Sequence, residues 1–65
     1  MQVENPMGKY RIDVVAVAEE SIVALLDWFG RFGVKAEREG STVKCDVRSG
    51  LAYWMGQEGW KIEAA

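Results

Sequence analysis

The sequence predicts a small two-layer α+β domain, an antiparallel sheet with two helices on one face. Three observations carry that expectation. Residues 10–18 and Thr42–Arg48 are rich in β-branched residues and alternate in polarity, the first only at its start. Residues 19–32 space their large apolar side chains at helical intervals. Gly40 and Ser41 separate two alternating segments as the tight turn of a hairpin.

Taken in order, residues 1–8 show no periodicity and contain the single proline, Pro6, so they read as a loose tail ahead of one domain spanning 9–65. In the first strand, 10–18, Tyr10, Ile12, Val14 and Ala16 share one face, and Arg11, Asp13, Val15 and Val17 share the other. That second face turns apolar toward its end, as a central strand or a covered patch would. The helix 19–32 opens with Glu19 and Glu20, whose carboxylates suit the positive end of the helix dipole; Ser21 caps it if it starts late. Ile22, Leu25, Leu26, Phe29 and Phe32 form its stripe, Arg31 stands in its last turn and Gly33 supplies the stop. Gly30 costs about 1 kcal/mol inside a helix, so either the helix ends there or a close contact requires the missing side chain. Segments 34–39 and 42–48 are the two arms of the hairpin, each with one apolar and one charged face. Ser49 is placed to cap a second helix from 50 to about 58, with Leu51, Trp54 and Met55 on one face, and 60–63 alternates as a last short strand.

Strand, helix, strand, strand, helix, strand resembles the split βαβ, or ferredoxin-like, arrangement. The helices are then expected to cover Ile12, Val14, Val43, Cys45 and Val47. If the second helix or the last strand fails, the alternative is a βαββ unit completed by a second chain. A chain of 65 residues is marginal by itself, and it has no disulfide to help, so self-association is a plausible source of stability.

Composition removes whole classes of chemistry. With no histidine there is no Ser-His or Cys-His nucleophile and no His-ligated zinc. A single cysteine, Cys45, forbids an internal disulfide and fits a reducing cytoplasm. No stretch approaches the about 18 apolar residues of a membrane span, and the N-terminus has no secretory pattern. A net charge of −2 and a pI near 5.0 argue against general phosphate-backbone binding. The glycines of 50–59 match no phosphate loop, and the CxxC of metal-carrier domains is absent. No cofactor, metal site or catalytic residue is expected.

What remains is surface. The open sheet face, with Arg11, Asp13 and Val15 beside Lys44, Asp46 and Arg48, lacks the aromatics that stack on RNA bases and reads as a solvated face of cross-strand ion pairs. Asp13, Glu37 and Asp46 share that face, but interspersed bases neutralise them. Cys45 points to the core as a small hydrophobe. Three tryptophans are a high count for this length. Trp54 and Trp60 are expected in the core, whereas Trp28 sits at the edge of the Leu25 and Phe32 side of its helix. An edge tryptophan is either covered by its own chain or anchors a partner. The expected protein-binding residues are Trp28, Tyr53, Arg31 and Glu58.

The sequence therefore points to a non-enzymatic module that binds another protein. In size, acidity and want of chemical motifs it is similar to the accessory inhibitors of phages and mobile elements, such as anti-CRISPR and other anti-defence proteins. That resemblance implies a rigid domain occluding a surface of a larger target. The alternatives are a homodimeric regulatory domain with a small ligand at its seam, where Val15 and Val17 meet the second subunit, and a weak nucleic-acid binder using Arg11, Lys44 and Arg48.

Overall fold

A computed structural model of the protein describes residues 5–65. Six elements follow one another: β1 (Met7–Asp13), α1 (Glu19–Arg31), β2 (Ala36–Glu39), β3 (Thr42–Arg48), α2 (Ser49–Gln57) and β4 (Lys61–Ala64). The strands form one antiparallel sheet in the order β2-β3-β1-β4.

Register explains why one sheet face is apolar and the other charged. Opposed residues share a face, and Ile12 lies opposite both Val43 and Ile62, while Cys45 lies opposite both Tyr10 and Ala36. That inner face meets Ile22, Leu25 and Phe29 of α1 and Ala52 and Met55 of α2. Ile12, Val14, Val43, Cys45 and Val47 are all buried, as expected, and among the described residues no polar or charged residue is buried with them. On the outer face Glu37, Lys44, Arg11 and Glu63 stand in one row across the four strands.

Several boundaries move. β1 begins at Met7, inside the segment read as a tail, and ends at Asp13 rather than 18. It stops because the Asp13 carboxylate accepts the Val15 N–H at 2.9 Å, turning the chain at once toward α1. Val15 and Ala16 therefore lie in a turn, not on a strand. Residues 1–4 of the expected tail lie outside the described residues. Asn5, by contrast, is engaged: its side-chain oxygen accepts the Gly50 N–H at 2.8 Å and the Ser49 hydroxyl at 3.2 Å. Ser49 is thus the first residue of α2 and not its cap; Asn5 caps the helix from 45 positions away. Ser21 does not cap α1 either, since the helix already starts at Glu19.

Both helices end alike. The Val34 and Gly33 N–H groups donate to Phe29 and Gly30, and the Trp60 and Gly59 N–H groups donate to Met55 and Gly56. This paired closure needs a left-handed residue one past the cap. Gly33 (φ 71°) and Gly59 (φ 104°) supply it. Gly30 lies within α1, and a side chain there would meet nothing within 4 Å, so neither reason suggested for that glycine applies. Phe32 caps α1 and is exposed rather than continuing its buried stripe.

Candidate functional site

α2 has only nine residues, and its inward face holds just Ala52 and Met55. Leu51, Trp54 and Glu58 follow one another at offsets of three and four, so they line a single flank of the helix rather than its base. On α1 the inward residues are Ile22, Leu25 and Phe29, and Trp28 stands on the flank beside Leu25. No Cα of α1 comes within 8 Å of a Cα of α2. The two helices both sit on the sheet but leave a cleft between them.

That cleft is about 230 Å³. Leu25 and Met55 are its most buried members, with Leu51 and Trp60 half-buried. Trp28 and Trp54 stand up from its sides at 38% and 64% exposure. Glu58, the C-cap residue of α2, is among the described residues the only ionisable one lining it. The helix ending described above delivers Trp60: the bond from its N–H to Met55 folds the chain back under α2. Each exposed indole packs on its own neighbours in sequence. Trp28 contacts Phe29 and Phe32 with ring centroids 5.5 and 4.9 Å apart, and Trp54 meets the edge of Tyr53 at 5.9 Å.

Of the four residues expected at a binding surface, Trp28 and Glu58 line the cleft together. Tyr53 lies just outside, exposed, against Trp54. Arg31 is on the far side of Trp28 in sequence terms and is engaged with Asp27 at 3.0 Å, one turn back on α1. Trp54 was expected in the core and is not. Grouping it with Leu51 and Met55 by offsets of three and four misses Ala52, the small residue that turns inward. Trp60 is half-buried and lines the same cleft, so all three tryptophans converge there.

The sheet's outer face holds a larger, shallower depression of about 540 Å³ bordered by Lys9, Lys35, Lys44, Glu37 and Asp46. Charges of both signs are interspersed across this face. Arg11 pairs with Glu63 and Lys44 with Glu39, each at 2.9 Å, and the Glu39 carboxylate raises the Lys44 pKa. Val15 is exposed in the loop beyond the strand and Val17 packs against the core, so the two do not form one apolar patch. Cys45 is buried, and desolvation, aided by nearby Asp46, pushes its thiol pKa up, away from the reactive thiolate. Among the described residues no helix is long and apolar enough to cross a membrane.

No family model, curated protein or solved structure matches this chain.

Proposed function

We propose that the chain is a non-enzymatic protein-binding module that docks through the tryptophan-lined cleft between α1 and α2, covering a functional surface of a larger protein. The observation that carries this reading is the convergence of Trp28, Trp54 and Trp60 on one open, apolar cleft. Trp54 is 64% and Trp28 38% exposed, a large aromatic area that the fold leaves in water, and tryptophan is a residue type that dominates interface energies. Size and acidity fit an occluding inhibitor of the anti-defence kind, acting in the cytoplasm, where a free buried thiol is stable. The element order and strand order support placing the domain with ferredoxin-like, split βαβ folds.

A selection of random-sequence peptides displayed against the protein tests the site. Selected peptides should bind the native domain and lose about tenfold or more in affinity on Trp54→Ala, while Lys44→Glu on the sheet face leaves them unchanged. Peptides that bind Trp54→Ala and Trp28→Ala as well as the native chain would place the docking surface elsewhere.

A further inference from the structure

We infer that the side chain received by the cleft is an arginine of the partner, its guanidinium stacked on the indoles and paired with Glu58; this rests on the docking site proposed above. Four features of the cleft converge on a cation. Indole faces carry negative potential and attract cations more strongly than any other side-chain ring, and every tryptophan of the chain lines this space. Among the described residues the one ionisable group lining it is an acid, and no lysine or arginine lines it. Glu58 has no base within 4 Å among the described residues; Asp13, Glu20, Glu37 and Asp46 share that condition, but of these only Glu58 lines the cleft. Finally, the cleft runs along α2 from Leu51 to Glu58, and its Glu58 end coincides with the C-terminal, negative end of the helix, whose last turn contains no basic residue.

The apolar part of the site suits the rest of such a side chain. Leu25, Leu51 and Met55 offer a surface for its methylene stem, so the stem is buried while the charged head stays at the Glu58 end. Arginine fits better than lysine because a planar guanidinium can lie on a ring and bond a carboxylate through two N–H groups at once, which a compact ammonium cannot. The net charge of −2 adds a weak long-range pull toward a basic target.

The test is a titration of the full chain with four capped tripeptides, acetyl-Gly-X-Gly-amide, where X is arginine, its neutral isostere citrulline, lysine or norleucine. The readout is the indole N–H resonances of Trp28, Trp54 and Trp60, assigned with single Trp→Phe variants. The arginine peptide should shift all three, with affinity on the order of millimolar, and the citrulline and lysine peptides should bind about fivefold more weakly or worse. Glu58→Gln should weaken the arginine peptide about fivefold and leave citrulline unchanged. If norleucine binds as well as arginine, the cleft takes an apolar anchor: the docking site stands and the arginine assignment is wrong. Tetramethylammonium that shifts the indoles as strongly as the arginine peptide also overturns it, in favour of an alkylammonium ligand. Indole shifts that follow protein dilution instead of added peptide would make a second copy of the chain the occupant. Silence of all three indoles toward every peptide rejects the assignment outright, and the display selection then decides the docking site separately.

Discussion

The two outer surfaces of this sandwich have solved the same problem in opposite ways. The sheet's outer face is charged, with both signs intermixed: acids on the edge strands flank the bases of the centre in the row Glu37, Lys44, Arg11, Glu63. The helical face leaves Trp28, Trp54, Tyr53 and Phe32 in water. Water solvates charged groups at no cost, so a checkerboard face is a stable end state. An exposed aromatic cleft is not, which is why the docking site is proposed on this side. If that contrast is right, stability should track depth beneath either face, whereas binding should track the helical face alone.

The largest effect belongs to the layer between them. Phe29 is fully buried, its ring centroid 5.5 Å from that of Trp28. Phe29→Ala removes a core ring, a change worth about 3–5 kcal/mol, against a total of ~3–5 kcal/mol for a core of this size. The variant should show no cooperative thermal transition by circular dichroism. A transition only a few degrees below the native one would mean that the core is not centred there.

The next effect is at the join of the two layers. Asn5→Ala removes the acceptor from the Gly50 N–H at the start of α2, and lost caps cost about 1 kcal/mol. Chemical denaturation should show that loss with an unchanged denaturant slope. The same variant should weaken peptide binding at the cleft little, because Asn5 touches the opposite end of α2 from Glu58. A loss of binding much larger than the loss of stability would show that the cap positions the cleft as well.

These two positions illustrate what the sequence could and could not reveal. The hairpin and its register follow from strict alternation, since a slip by one residue would bury Lys44 and Asp46; Thr42–Arg48 is accordingly found where the pattern put it. The stripe of α1 was legible for the same kind of reason over 13 residues. α2 was not, because in nine residues with Gly50 and Gly56 among them no long apolar period can establish itself. Its inward face is marked by Ala52 and Met55, and offsets of three and four fit Trp54 with Leu51 and Met55 equally well. Asn5 was invisible because a cap supplied from 45 positions away leaves no local signature. Trp28 and Glu58 were read separately as surface residues, and only the packing of α1 and α2 on one sheet brings them to the same cleft.

Gly30 gives a smaller effect of opposite sign. It sits inside α1 with φ in the helical range and with open space where a side chain would go. Gly30→Ala should therefore stabilise the domain by roughly 0.5–1 kcal/mol, through helix propensity and a less disordered unfolded chain. A rise in the thermal midpoint with unchanged peptide affinity would confirm that this part of the helical face has no ligand. Loss of binding without loss of stability would extend the docking surface beyond the cleft.

The smallest effect sharpens the comparison electrostatically. Arg38 faces inward on the edge strand β2, opposite Val43, and reaches across to α1, where its guanidinium binds both carboxylate oxygens of Glu19. Among the described residues it is the ion pair that joins the layers; Arg11–Glu63 and Lys44–Glu39 lie within the sheet face. The hydrogen bonds from Arg38 hold the Glu19 carboxyl below its ordinary pKa of 4.5. A carboxylate whose pKa is lowered by folding stabilises the fold above its unfolded pKa, and that contribution fades as pH falls through the folded value. The difference in thermal midpoint between the native chain and Glu19→Gln should accordingly be present near neutral pH and shrink toward zero as the solution is acidified below 4.5. Because both side chains are exposed to solvent, the difference should also be small and fall further with added salt. A gap between the two proteins that stays constant through the acid range would mean that Glu19 acts there through packing and not through its charge.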